Sequence, residues 1–151
     1  MQVKIEKSGI NGEGIAYIDR KPVFINGVLP YEIAEIRITE TQDKYLKGEL
    51  LRLVKPSPFR IQAPCSVQSD CGGCALMIAN VPHQEKLKLD NLKQALVKYM
   101  GNIDFRLIKP LVSNPKPLGY RNSFKLPVKS EKGKLVSGLY SANTNHFVKA
   151  D

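Results

Sequence analysis

The sequence predicts a mainly β chain with one helix, an α+β class, and three observations carry that expectation. Through the first 58 residues, apolar and polar side chains alternate in short runs, as in strands with one buried face. A 3.6-residue apolar period occupies about residues 83–100 and marks one helix. Alternation then returns between about residues 120 and 150, with a turn at Lys132 and Gly133.

In the first unit, Val3 and Ile5 alternate with Gln2, Lys4 and Glu6, and Gly12 and Gly14 mark a turn into a second strand at Ile15 and Tyr17. Asp19, Arg20, Lys21 and Pro22 form a hairpin loop leading to Val23, Phe24 and Ile25. Asn26-Gly27 is a turn signal, and Leu29-Pro30 follows in a loop. Ala34, Ile36 and Ile38 alternate with Glu35, Arg37 and Thr39. The last strand runs from Tyr45 to about Lys55, and its apolar set shifts parity between Leu46/Leu50 and Leu51/Leu53, which predicts a bulge. Five short strands separated by turns fit a small OB-like barrel over residues 1–58. In that pattern Glu32, Glu35, Glu40 and Glu49 take solvent positions.

Pro56-Ser57-Pro58 breaks the last strand and predicts a boundary. A cysteine loop over 59–82 follows, and then a third unit over 83–151. Pro82 should precede the helix, whose apolar face is Leu89, Leu92, Ala95, Leu96 and Tyr99 and whose stop is Gly101-Asn102. Antiparallel strands are expected at 122–128, 135–140 and 146–149.

Hydrophobic residues at 42% and charged residues at 25% are ordinary for a globular protein. The segment after Met1 has no apolar core of a signal peptide, and no stretch reaches the roughly 18 apolar residues of a membrane span. A cytoplasmic protein without membrane contact is therefore expected. The net charge of +9 is unevenly placed. Residues 105–151 hold nine Lys/Arg against two Asp/Glu, interleaved with Phe105, Tyr120, Phe124, Tyr140 and Phe147. Cations attract a polyanion and aromatic faces stack on unpaired bases, so this composition fits a nucleic-acid partner and equally a solvated lysine-rich surface with ordinary core aromatics.

Cys65, Cys71 and Cys74 are the only cysteines, spaced C-x5-C-x2-C with Gly72-Gly73 in the last interval. Thiolates on a short glycine-bent loop suit a soft metal or an iron–sulfur cluster, and both usually take four ligands. A zinc site would more often pair two short clips, and neither His83 nor His146 has clip spacing, so the pattern favours a cluster over zinc. Gly12-Glu13-Gly14 lacks the helix and lysine of a phosphate loop and reads as a tight turn. Tyr45, Lys47 and Arg52 on the barrel are candidate RNA contacts, Tyr45 reading equally as a barrel-rim core residue, and no catalytic residue is visible.

Together, Gly12-Glu13-Gly14-Ile15-Ala16, Val28-Leu29-Pro30, the segment from Pro64 through Cys65, Cys71, Gly72, Gly73 and Cys74, then Gln84 and Lys88, and Gly119-Tyr120-Arg121-Asn122 resemble the bacterial RNA (uracil-5-)-methyltransferases. The nearest branch carries an N-terminal TRAM domain and modifies 23S ribosomal RNA. The resemblance runs through essentially the whole chain, with one departure: Met77-Ile78 stands where family members often have Gln-His.

It implies a TRAM barrel for RNA, a central domain with a [4Fe–4S] cluster, and a catalytic domain that uses S-adenosylmethionine. Cys65, Cys71 and Cys74 are then three of four cluster ligands, the fourth being expected past Asp151. The chain is accordingly expected to be an N-terminal fragment with an incomplete central domain, inactive alone and monomeric. The resemblance also implies that the full enzyme adds a cysteine thiolate to uracil C6, methylates C5 and removes the C5 proton. That thiol and base would lie outside these residues. Tyr45, Arg52, Arg121 and Lys125 are expected to hold the remodelled RNA. With three ligands alone, no stable cubane is expected, and residues 63–81 should be loose or rearranged. Two readings without catalysis remain open: a stand-alone RNA-binding module and a zinc-stabilised translation accessory protein.

Overall fold

The computed structural model describes residues 1–142 and 144–149. Ala150 and Asp151, with which the expected third unit ends, lie outside the described residues. Strands β1 (Gln2–Lys4), β2 (Lys7–Ser8), β3 (Gly14–Ile18), β4 (Lys21–Ile25), β5 (Ile33–Thr41) and β6 (Leu46–Lys55) form one sheet in the order β1-β5-β6-β4-β3-β2. Its pairs are antiparallel except β4 with β6, which is parallel.

The two ends of this order are neighbours in sequence. Between them the Ile5 N–H donates to the Glu32 carbonyl and the Glu6 N–H to the Ile15 carbonyl, each at 2.9 Å. One broken first strand thus joins both edges and closes a barrel. The five expected strands are present, with the first split in two. Inside lie Val3, Ile5, Ala16, Val23, Ile25, Val28, Ala34 and Ile36, with Leu46, Leu50 and Leu53 packed against them.

The expected bulge in β6 is present. Glu35 pairs with Arg52 and Ile36 with Leu50, so Leu51 is an extra residue that turns outward and is 53% exposed. The bulge puts both Leu50 and Leu53 on the core despite their odd spacing.

Helix α1 is Val81–Met100, two residues longer at its start than expected. Asn80 caps it by accepting the His83 N–H at 3.0 Å, and Pro82 lies inside the first turn, where no intrahelical donor is required. The buried face also differs from expectation. His83 and Leu87 are buried, whereas Leu92 and Tyr99 are exposed. The reason is local docking: the first half of the helix packs on the barrel, with the Asn91 side-chain amide donating to the Gly9 carbonyl at 3.1 Å.

A second small core joins the units through Leu29, Ile78, Ala79 and Leu87. Beside it lies a carboxylate that the strand pattern places in solvent. Glu32 is 0% exposed, and this corrects that expectation. Its two oxygens accept the backbone N–H of Leu29 (2.8 Å) and Ser57 (3.1 Å), together with Arg60 Nε (2.6 Å) and Nη2 (2.8 Å). The Pro56-Ser57-Pro58 break therefore ends β6 but is pinned to the barrel, with Ser57 buried.

Strands β7 (Val128–Glu131), β8 (Lys134–Tyr140) and β9 (Phe147–Lys149) form a separate antiparallel sheet. Lys132 and Gly133 both take positive φ in the two-residue turn, as expected for a hairpin. The strand expected at 122–128 is absent except for Val128. Pro110, Pro115, Pro117 and Pro127 punctuate residues 108–127, and each lacks the N–H that pairing needs.

Candidate nucleic-acid interface and cysteine loop

The cysteine loop is short-range structure seated on the second sheet. The Cys71 N–H donates to the Val67 carbonyl at 2.8 Å, and the Gln68 N–H donates to the Cys65 carbonyl at 3.3 Å. The Gly72 N–H donates to the Tyr140 carbonyl at 3.0 Å, and Ser141 Oγ donates to the Asp70 carbonyl at 2.5 Å. A Cβ at position 72 would stand 2.8 Å from Ala142 N and 2.9 Å from the Tyr140 carbonyl, so only glycine permits this seat. The glycine bend thus serves docking onto β8.

Cys65 and Cys74 are exposed and Cys71 is partly so, all three as free thiols. The Gly73 N–H points at Cys71 Sγ, 3.4 Å away. Three soft donors reachable on ten residues suit a thiolate-bound metal or cluster in type. In arrangement they fall short: among the described residues, no three Cys, His, Asp or Glu side chains are gathered as a metal ion requires. Of residues 63–81, expected to be loose or rearranged without a cluster, the second half is built into the fold. Ala75–Ile78 forms a 3₁₀ turn, Ile78 and Ala79 are buried, and the Ile61 N–H donates to the Ile78 carbonyl at 2.8 Å.

The four RNA candidates are dispersed. Tyr45 is half-buried and packs edge-on against Phe24, with centroids 5.8 Å apart. Arg52 is exposed, but its Nε lies 2.6 Å from the Glu35 carboxylate opposite on β5. Lys47 is likewise paired with Glu40 at 2.7 Å, and Arg37 with Glu49 at 2.5 Å. The β5–β6 face is therefore a ladder of ion pairs. Arg121 and Lys125 are exposed in the irregular 108–127 stretch, and the Arg121 guanidinium lies 5.8 Å from the Tyr120 ring centroid. On the β7–β8 hairpin and β9, Lys132, Lys134 and Lys149 with Glu131 and Val136 line an open groove of about 480 Å³.

Several ring–cation pairs were not anticipated. Lys7 Nζ stands 5.5 Å from the Tyr17 centroid and Lys86 Nζ 5.8 Å from that of Tyr31. Lys129 approaches both Tyr140 and Phe147, at 5.2 and 4.8 Å. The strand alternation sets Tyr17 on the face of Ile15, yet Ile15 is buried and Tyr17 is 40% exposed, and Tyr31 carries no strand signal at all. Tyr31 is 53% exposed with φ +74°. The other non-glycine residues with positive φ among the described residues, Asp19, Arg20 and Lys132, all sit in two-residue hairpin turns. Tyr31 instead is the third residue of the Leu29–Glu32 turn, closed by the Glu32 N–H donating to the Leu29 carbonyl at 3.3 Å, a position that favours glycine and where a bulky side chain costs about 1–3 kcal/mol. The conformation is held by the Tyr31 N–H donating to the Ile5 carbonyl at 2.9 Å.

Next to Tyr31, a cleft of about 60 Å³ separates the barrel from α1. His83 lines it, 3% exposed and stacked on Phe59 at 4.3 Å, and its Nε2 is buried without a hydrogen-bond partner among the described residues. Burial, and then the charge of Lys86, lower the imidazole pKa, with Asp90 opposing.

Comparison with known proteins accords with this architecture. Residues 1–51 match the TRAM domain. The chain is 37% identical over 146 residues to an uncharacterized RNA methyltransferase of Bacillus anthracis, covering 97% of this chain and 32% of that protein. It is 36% identical over 145 residues to an uncharacterized RNA methyltransferase of Halalkalibacterium halodurans, covering 95% and 31%. It is 33% identical over 148 residues to the 23S rRNA (uracil(1939)-C(5))-methyltransferase RlmD of Psychromonas ingrahamii, covering 97% and 33%. The chain thus spans about a third of the length of the curated relatives it matches. It has a TRAM match over residues 1–51 and is similar, along nearly all of its own length, to part of proteins named RNA methyltransferases.

Proposed function

We propose that these residues are the RNA-binding and cluster-ligating part of a methyltransferase that forms 5-methyluridine in 23S ribosomal RNA. The observation that carries this reading is the match along nearly the whole chain to a relative named for that reaction. The barrel, the basic β7–β9 sheet and the 108–127 stretch before it supply the RNA contacts, through Arg121 and Lys125 of that stretch foremost. Methyl transfer takes place elsewhere in the protein, with S-adenosylmethionine as methyl donor, and these residues alone are inactive. The whole protein acts in the cytoplasm as a monomer.

Cys65, Cys71 and Cys74 supply three thiolates to a [4Fe–4S] cluster whose fourth ligand comes from outside these residues. A cluster held there is structural, because methyl transfer moves no electron. It would pin the loop that rests on Tyr140 and Ser141, and through them the basic sheet. The donor types favour this assignment, and drawing the three sulfurs together requires the 65–74 loop to tighten on its β8 seat.

The test is 5-methyluridine in 23S rRNA, read by mass spectrometry of nuclease digests from a strain with the gene and one lacking it. Loss of one or more 5-methyluridines on deletion, restored by the intact gene, is expected. An unchanged 23S digest with a 5-methyluridine missing from another RNA would move the substrate. No change in any RNA would leave an RNA-binding protein without this catalysis.

A further inference from the structure

We propose that Tyr31 and the cleft beside it receive one unpaired RNA base, the ring stacking on the base and the cleft taking its edge. The inference rests on the RNA-binding reading above and names a contact within it. Tyr31 is the third residue of the Leu29–Glu32 turn, in which Pro30 precedes it and the Glu32 N–H donates to the Leu29 carbonyl at 3.3 Å; that position takes positive φ and favours glycine, so a tyrosine there is uncommon. What the conformation achieves is presentation: Tyr31 leaves the barrel and offers its ring to solvent, with a single lysine against it. An exposed lysine on a long stem is readily displaced from a ring, and once displaced it is free for the phosphate of the incoming nucleotide.

The cleft beside the ring specifies the kind of ligand. At about 60 Å³ it is too small to enclose a base and is open enough to accept an edge. Its charges cancel, Lys7 and Lys86 standing against Glu6 and Asp90, so a bare phosphate gains little there. A neutral heterocycle with donors and acceptors along its rim fits better. His83 Nε2 is the independent sign of a missing partner, since buried polar atoms are rarely left unpaired. That nitrogen is shut from solvent, so a base edge reaches it by widening the cleft, and neutral imidazole then serves as donor or acceptor according to the tautomer. Duplex RNA offers no free base face and should not use this site.

The test is a titration of the 151-residue chain against an unstructured RNA dodecamer carrying one 2-aminopurine, whose fluorescence falls when it stacks. Tyr31→Phe keeps the ring. Tyr31→Gly removes it at a φ glycine accepts freely, so that variant should melt no lower than the parent. Quenching by the parent and Tyr31→Phe, with loss of quenching and about tenfold weaker binding in Tyr31→Gly, is the expected result. Equal quenching and affinity in Tyr31→Gly would overturn the site while leaving RNA binding intact. Equal dependence on Tyr31 with the same sequence as a duplex would also overturn it. Absence of RNA binding by the parent chain would remove the RNA-binding reading and this site together.

Discussion

Glu32 and Arg60 meet through both carboxylate oxygens, at 2.6 Å from Nε and 2.8 Å from Nη2, with the carboxylate wholly shut from solvent. Arg60 Nη2 also donates to the Gly27 carbonyl at 2.7 Å. One ion pair therefore ties the 27–32 loop of the barrel to the segment that leaves β6. Removing Arg60 strands a buried charge, and Arg60→Ala should cost about 3–5 kcal/mol in urea unfolding. A loss below about 1 kcal/mol would mean that the pair adds nothing to the junction.

The same pair sets an acid limit. Burial pushes the Glu32 carboxyl up, but the hydrogen bonds from Arg60, Leu29 and Ser57 and the guanidinium charge outweigh it, leaving the pKa below the usual 4.5. A lowered folded pKa contributes stability that is present above pH 4.5 and lost as pH falls through the folded value. His83 adds an earlier slope. Its pKa is lowered from 6.5, so the unfolded chain takes up the proton first, and stability falls as pH drops below 6.5. Unfolding free energies measured from pH 7.5 to 3 should show both slopes. His83→Gln should flatten the upper one and Arg60→Ala the lower one, and parallel profiles for all three proteins would refute both assignments.

The cysteine assignment has a direct chemical readout. In metal-free chain, iodoacetamide should alkylate all three thiols without denaturant, because each is free and at least partly accessible. In the whole protein reconstituted anaerobically with iron and sulfide, all three should be protected, and Cys65→Ser, Cys71→Ser or Cys74→Ser should each lower the iron and sulfide bound. Protection by zinc at one ion per chain, without sulfide, would favour the zinc-stabilised alternative instead. Thiols that remain reactive under every condition would end the ligand assignment.

For RNA, pairing decides which cation contributes. Arg52 is engaged by Glu35, so Arg52→Ala should weaken binding of single-stranded RNA less than Arg121→Ala or Lys125→Ala does. Each of the latter should lower the slope of log K against log salt by about 0.7, the share of one single-strand phosphate contact. Glu35→Gln frees Arg52 and should tighten binding at low salt. If Arg52→Ala were the most damaging of the three, the paired barrel face would be the principal RNA surface.

The barrel was legible because its signals are local. Val3, Ile5, Ala34 and Ile36 alternate, Asn26-Gly27 turns, and the parity slip at Leu51 reports a bulge within a few residues of itself. The hairpin at Lys132-Gly133 was legible for the same reason. The helix was legible in extent but not in facing. Its apolar period names a stripe through Leu92 and Tyr99, yet the barrel meets the opposite face, through His83 and Leu87. Of the site, the thiols and the basic excess could be read directly. Their neighbours could not.

By itself, the sequence determined the fold class, the strand order along the chain, the cysteine spacing and the concentration of charge in the last third. Each depends on residue type and short spacing, which turn geometry and amphipathic period translate into structure. Tertiary structure alone decided that Glu32 is buried, that Gly72 presses on β8, that Asn91 reaches Gly9 across 82 residues, and that Tyr31 stands beside a cleft lined by His83, whose Nε2 has no hydrogen-bond partner among the described residues. Those facts depend on which surfaces meet. Desolvation and hydrogen-bond pairing act between groups far apart in the chain, where no local pattern records them.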